Sequence, residues 1–376
     1  MPPSSPSDPL PRSPLHAVQR RGTLAFGEVD GWEMPRVFEN VKREYLAAKG
    51  TVGVMDRSNA GRLRMAGARR LDLLHRITTN DLKGMAPGQG ARTALLTDKG
   101  RVVDDLRVHA REGDLLVLTS PGNAGEVKAR VEALRFRDDV TVEEITSSTA
   151  MIALYGPQSG HLLDAAAHAH GKAPLDLHHS VELAIAGRPV LAARTGDVGG
   201  AGYNLVVSTA DGPAVWEALL QEGGPYGASP LGEEAYEMLR IERGVPRFGR
   251  EISQEHNPLE IRLDDAISWT KGCYIGQEVV ARLDSRRKVS KLLVGLWLEP
   301  GPVPEAGSPI EDRAKPGQPV GRLTSVAPSL DFRRVIGLGI VRSELAAPGT
   351  VVSVASAEDR VEAVVSDLPF APPGPS

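Results

Sequence analysis

The chain holds 376 residues, with 44 Lys and Arg against 48 Asp and Glu for a net charge of −4, and 41% hydrophobic residues. That length predicts two to three domains at roughly 150 residues each, and with its 40 glycines added the apolar share suffices to bury ordinary globular cores. No apolar run nears the ~18 residues of a helical membrane span, and no block of five like charges occurs. The composition thus argues against membrane insertion and against nucleic-acid binding driven by overall charge.

A single cysteine, Cys273, excludes an internal disulfide, a cysteine-rich zinc site and an all-cysteine iron–sulfur cluster within one chain. The nine histidines, His178 and His179 among them, show no ligand spacing, so no metal site is expected. Six prolines fall within the first 14 residues. They oppose the amphipathic helix of a transit peptide and favour a disordered tail over 1–22 on a cytoplasmic protein. A second proline-rich tail is expected over 369–376.

In chain order, Pro35 suits the first turn of a helix carrying Met34, Phe38, Val41 and Tyr45, ended by Gly50. A strand at 61–65 precedes a helix from Arg69 with Leu71, Leu74 and Ile77 on one face. Strands at 93–97, 101–109 and 115–119, a helix with Val127, Val131 and Leu134, and a strand at 140–145 complete a first module, 23–149. The same order recurs over 150–289: a strand at 151–154, a helix at 161–168, a pair at 181–185 and 189–193, a strand at 203–207 and a helix around Trp216. Short hairpins join adjacent strands, which predicts an α+β fold of duplicated ferredoxin-like modules. Beyond 290, apolar runs at 292–298, 335–341, 350–354 and 361–365 between Pro/Gly turns predict a small β-barrel over 290–368.

The densest candidate for chemistry is Lys271-Gly272-Cys273-Tyr274-Ile275-Gly276-Gln277-Glu278, where two glycines frame a cysteine and a tyrosine. Such a loop can present a thiol, whose pKa Lys271 would lower and Glu278 would raise if they lay close. Asp104 and Asp105 are adjacent on a strand and so face opposite sides. Arg240 falls three residues after Glu237 on one helix face, where an exposed ion pair is the plain alternative to ligand binding. Two basic groups, Arg62, Arg64, Arg69, Arg70 and Arg76, and Arg282, Arg286, Arg287, Lys288 and Lys291, could meet an anionic partner or be ordinary solvated faces. No P-loop, dinucleotide fingerprint, HExxH or GxSxG motif occurs.

Pro258-Leu259-Glu260 through Ile267-Ser268-Trp269-Thr270, followed by KGCYIGQE and Ala281-Arg282, resembles the signature of the YgfZ branch of the glycine-cleavage T-protein superfamily. That branch comprises folate-dependent proteins required to mature or repair certain iron–sulfur enzymes. YLAAKGTVGVMDRS from Tyr45, Thr78-Thr79-Asn80-Asp81, GRVVDDL from Gly100 and LRIERG from Leu239 extend the likeness over about 36–345. The resemblance implies duplicated modules of the T-protein type with a C-terminal barrel, holding tetrahydrofolate in a central hole. It places Asp104 or Asp105 and Arg240 at the folate and makes Cys273 a reactive thiol.

One departure matters. Aminomethyltransferases read Arg-Thr-Gly-Tyr-Thr-Gly-Glu-x-Gly where this chain has Arg194-Thr195-Gly196-Asp197-Val198-Gly199-Gly200-Ala201-Gly202, so the pterin-pairing glutamate falls on Gly200 and Asp197 is the nearby acid. The resemblance thus leads to a folate-binding accessory protein of iron–sulfur cluster assembly or repair, a monomer with iron–sulfur clients. The alternatives are an aminomethyltransferase moving a one-carbon unit to tetrahydrofolate, which the Asp104-Asp105 pair favours, and a non-catalytic folate-binding regulator.

Overall fold

The structure, a computed structural model, describes residues 9–169, 171, 173, 176–198, 200–285, 289–356 and 360–371. The chain divides into two compact units: Met1–Leu95, Asp104–Tyr236 and Ala266–Tyr274 in the first, and Leu96–Val103, Glu237–Asp265 and Ile275–Ser376 in the second.

The first unit begins with α1 (His16–Gln19), the hairpin β1 (Ala25–Val29) and β2 (Trp32–Val37), α2 (Val41–Gly50) and β3 (Val52–Asp56). One order of elements then occurs twice. The first copy runs β4 (Gly61–Ala66), α3 (Arg70–Ile77), β5 (Gly90–Leu96), β6 (Val102–Ala110), β7 (Asp114–Thr119), α4 (Ala124–Arg135) and β8 (Thr141–Glu144). The second runs β9 (Thr149–Tyr155), α5 (Ser159–Ala166), β10 (Ser180–Ile185), β11 (Arg188–Thr195), β12 (Gly202–Ser208), α6 (Gly212–Glu222) and β13 (Ala228–Pro230). The sheets repeat as well: β5-β6-β7-β4-β8 in one, and β10-β11-β12-β9-β3-β13 in the other, where β3 is an added strand.

Leu162, Leu163, Trp216 and Leu219 of α5 and α6 pack on Ile152, Leu154 and Leu205 of the six-stranded sheet. Leu116 and Leu118 of β7 meet Met151, Leu191 and Val206, so the two sheets share a core. Each such side chain, fully buried, contributes about 1.5–3 kcal/mol. Arg62, expected on a basic surface, is fully buried and braces β4 against β9, donating to Thr149 Oγ1 (2.7 Å), Ala60 O (2.6 Å) and Thr146 O (2.8 Å). Arg64, Arg69 and Arg76 of the same group pair with Glu143, Asp72 and Asp138. Arg286, Arg287 and Lys288 of the other group lie outside the described residues.

In the second unit, α7 (Glu233–Arg243), which starts at the end of the first, and α8 (Gln277–Ser285) accompany a closed barrel. Its strands are β14 (Lys291–Leu298), β15 (Pro309–Asp312), β16 (Pro319–Ser329), β17 (Arg334–Arg342), β18 (Val351–Ala355) and β19 (Arg360–Ser366), closing in the order β14-β17-β16-β15-β18-β19. The α+β class with a C-terminal barrel is the fold the sequence predicts.

Three local expectations need correction. Pro35 does not start a helix: it lies in β2 opposite Phe26, and α2 starts at Val41, where the Asn40 side chain accepts from Arg43 N. The tail expected over 1–22 is ordered from Arg12, because Leu15 is fully buried in the core with Phe38 and Trp216, and Ser13 Oγ donates to the Asp56 carboxylate. At the other end Phe370 is buried against Trp297 at a centroid distance of 4.7 Å, while 372–376 lie outside the described residues. Nor does the chain divide at 290. Residues 237–265 group with the barrel, held by Leu293 N donating to Glu260 O (2.8 Å) and by Arg240 donating to Ser325 (2.7 Å).

Candidate functional site

β6 is buried along nearly its whole length, so its two aspartates cannot both be solvated. They take opposite faces. Asp104 accepts from Ser120 Oγ (2.6 Å), Ser120 N (3.0 Å) and Asp105 N (2.8 Å). Burial pushes its carboxyl up to about 6, opposed by those hydrogen bonds. Among the described residues no cation pairs with it, and it serves as an acceptor joining β6 to the residues before α4.

Asp105 faces the other way, into a cluster of charges. Its Oδ1 accepts from Arg92 Nε (2.9 Å), and its Oδ2 from a terminal nitrogen of Arg92 (2.8 Å) and one of Arg107 (2.9 Å). The other terminal nitrogen of Arg107 donates to Asp197 Oδ1 (2.9 Å), on the turn after β11. Burial alone would raise both carboxyls, but the arginines win. Asp105 lies below the usual range through Arg107 and Arg92, and Asp197 falls to about 2 through Arg107 and Arg57. The Asp105 side chain is 2% exposed, whereas Arg107 and Asp197 are 19% and 20% exposed, so the cluster opens to solvent on its Arg107–Asp197 side.

Around this core stand aromatic and imidazole groups. The Arg57 guanidinium lies 4.8 Å above the Tyr236 ring, whose centroid is 5.7 Å from that of Tyr155. His109 Nδ1 lies 2.9 Å from His178 O and therefore carries the proton, leaving Nε2 as the acceptor. Burial takes this imidazole down to about 4, so it is neutral near pH 7. The Tyr155 hydroxyl, Arg107 Nε and His109 Nε2 are buried and find no hydrogen-bond partner among the described residues. An unsatisfied buried polar atom costs about 1–3 kcal/mol, so several around one cluster mark a place for a polar ligand or water. The sequence reading missed Arg92, Arg107, His109 and Tyr155. The available signal was period-2 alternation, which puts Asp105, Arg107 and His109 on one face of β6.

The octapeptide Lys271–Glu278 is divided between the units. In the first, Lys271 and Tyr274 are buried while Gly272 and Cys273 between them are exposed. The Lys271 ammonium donates to backbone carbonyls near the end of α3. In the second, Gly276 holds φ +83°, and a Cβ there would meet Thr97 O at 2.7 Å, so only glycine fits. Gln277 and Glu278 follow in the first turn of α8.

Arg240 belongs to the second unit and is neither exposed nor available. Its Nε donates to Glu237 Oε1 (2.5 Å), one terminal nitrogen to Val245 O (3.2 Å) and Glu251 (3.4 Å), and the other to Glu237 Oε2 (2.7 Å) and Ser325 Oγ (2.7 Å). Glu237 also receives Arg247 (2.5 Å) and Arg250 (2.8 Å). The guanidinium is 1% exposed and works as a structural hub, so the geometry gives no support to a folate contact. Nothing lies within 4 Å of the point where a Cβ on Gly200 would stand. Among the described residues no three His, Cys, Asp or Glu side chains gather to hold a metal ion, and no helix is long and apolar enough to cross a membrane.

Comparison with known proteins covers nearly the whole chain. The GCVT N-terminal domain model matches residues 15–271, and the glycine cleavage T-protein C-terminal barrel domain model matches 291–371. The aminomethyltransferase of Frankia alni is 33% identical over 345 residues, 91% of this chain and 93% of that protein. The aminomethyltransferase of Bacillus pumilus is 30% identical over 370 residues, covering 96% and 98%. The solved glycine cleavage system aminomethyltransferase T from Bartonella henselae superposes with a TM-score of 0.86 at 24% identity over 96% of this chain and 98% of that one, which is the same fold.

Proposed function

The chain belongs to the glycine-cleavage T-protein family, and from that premise we propose that it is a one-carbon transferase of the aminomethyltransferase type with tetrahydrofolate as acceptor substrate. The observation that carries this reading is Asp105, kept ionised by Arg92 and Arg107 in the N-terminal domain beside polar atoms that lack partners. A reduced pterin presents N–H donors and carbonyl and ring-nitrogen acceptors along its edge. Arg107 Nε and the Tyr155 hydroxyl suit its acceptors, and the Asp197 carboxylate and His109 Nε2 suit its donors. Asp197 would supply the acidic acceptor that Gly200 cannot.

Folate supplies the amine nitrogen that takes up the one-carbon unit. The chain's part is electrostatic: the Asp105 carboxylate, held ionised by its two arginines, steadies positive charge that develops on the amine. The test is transfer from an aminomethyl-loaded lipoyl carrier protein to tetrahydrofolate, followed as methylenetetrahydrofolate, with ammonia and the free dihydrolipoyl carrier as the other products. Turnover that saturates in both substrates is expected, and its absence with a folded, folate-binding protein would overturn the transferase.

One observation favours a second reading, an accessory protein of iron–sulfur cluster maturation: the exposed Cys273 within KGCYIGQE. A deletion strain that loses iron–sulfur enzyme activities, keeps glycine cleavage and is not complemented by Cys273→Ser would put this reading first.

A further inference from the structure

Lys271 is a charged side chain only 8% exposed, and no carboxylate pairs with it at ion-pair distance among the described residues. Its ammonium instead donates to three backbone carbonyls: His75 O, Thr78 O (2.8 Å) and Asn80 O (2.8 Å). These lie in the last turn of α3 and just beyond it, where carbonyls lack helical partners and the helix dipole is negative. The same stretch grips the chain a few residues earlier. Thr79 Oγ1 donates to Ala266 O (2.6 Å), and Ser268 N donates to Thr79 O (3.1 Å). On the far side Tyr274 is 8% exposed, its ring centroid 5.4 Å from the Lys271 nitrogen. The exposed pair Gly272 and Cys273 thus forms an apex between two anchored, buried residues.

We infer that Lys271 is a positioning residue, whose ammonium caps α3 and thereby fixes the 266–274 loop so that Cys273 points outward on an ordered backbone. The lysine acts through the loop and not on the thiol. This assignment stands whichever substrate the protein takes. The groups facing the ammonium are the Tyr274 ring, Asp81, and the His75 imidazole, whose Nδ1 lies 3.1 Å from Asp81. No basic side chain on the loop competes for the carbonyls.

The experiment uses the full chain carrying Lys271→Met, which keeps the length of the side chain and removes its donors, and Lys271→Arg, which keeps charge and donors. Hydrogen exchange of peptides spanning 266–274 is measured beside the pH profile of Cys273 alkylation by iodoacetamide. K271M should raise the open population of the loop at least about tenfold, the equivalent of about 1.4 kcal/mol, with peptides from the Asp105 cluster and the barrel unchanged. K271R should retain most of the protection. The pH profile of alkylation should keep its wild-type shape in both variants, because the lysine acts through the backbone carbonyls. A raised thiol pKa in K271M with unchanged exchange would make Lys271 an electrostatic activator and overturn the inference. Unchanged exchange and unchanged alkylation would overturn it equally. If K271M fails to fold, Lys271→Gln decides: its shorter, uncharged amide cannot serve the three carbonyls, and protection of 266–274 must fall while the alkylation profile holds.

Discussion

On β6 one residue of offset separates a carboxylate set between two arginines from one held by neutral hydrogen bonds. Their pH behaviour must therefore differ in sign. Asp104 has a folded pKa of about 6, above its unfolded value of about 3.9. Its contribution to stability is full below the unfolded value and lost as pH rises through 6. Asp197, at about 2, behaves oppositely: its contribution is present above the unfolded value and lost as pH falls through 2. Urea midpoints of wild type minus Asp104→Asn should decline between about pH 4 and 6 and be flat above 7. For activity the roles exchange. Asp105→Asn should lower the transfer rate by about 100-fold or more, the range of a lost electrostatic stabiliser, and Asp104→Asn by far less, measured as kcat at saturating folate. Arg240→Ala should cost about 3 kcal/mol in urea unfolding, because it removes the cation from the fully buried Glu251 while Glu237 keeps Arg247 and Arg250. Arg240→Lys should restore little of it, since one ammonium cannot span that set of acceptors. A ligand-contacting arginine would instead lose affinity and keep its unfolding midpoint.

Among the elements, α1 is only four residues long and still holds a core position through Leu15 at its N-cap. Leu15→Ala should destabilise the first unit by about 2–5 kcal/mol, as other buried leucines do, read from the denaturant midpoint. The sequence hid this segment because its prolines mask one well-placed leucine. Alternation and helical spacing did reveal most strands and helices of both copies, and four of the six barrel strands. β15 and β16 escaped because each begins at a proline, which ordinarily demotes a strand. The site was legible only in part. Asp104 and Asp105 stood out as a pair, and alternation puts Arg107 on the Asp105 face, but Arg92 and Asp197, which complete the cluster, arrive from β5 and from the second copy. A charged residue in a buried strand reads as a surface residue until its counterion is known. Arg240 misled for a related reason: its helix neighbour Glu237 was visible, but Glu251 and Ser325 come from distant parts of the chain.

At the scale of the whole molecule, folate binding should appear as thermal stabilisation. Ligand at about 100 times its Kd adds about 2.7 kcal/mol to the unit that binds it. If the Asp105 cluster is the site, differential scanning calorimetry should show the melting temperature rising with tetrahydrofolate, and Arg107→Ala should abolish the rise. A rise that survives Arg107→Ala would place the ligand elsewhere.

The two copies in the first unit are not independent. β3, which precedes the first copy, lies between β9 and β13 of the second, antiparallel to one and parallel to the other. Cut in the turn between β8 and β9, the chain would yield a C-terminal piece whose sheet lacks an interior strand and an N-terminal piece carrying that strand with nothing to pair it. Neither half should fold alone, yet the two should reassemble when mixed, and Asp105 would then meet Asp197 across a break in the backbone. The repeat is thus a strand exchange frozen into a single polypeptide, and a split version of this protein should behave as an obligate heterodimer.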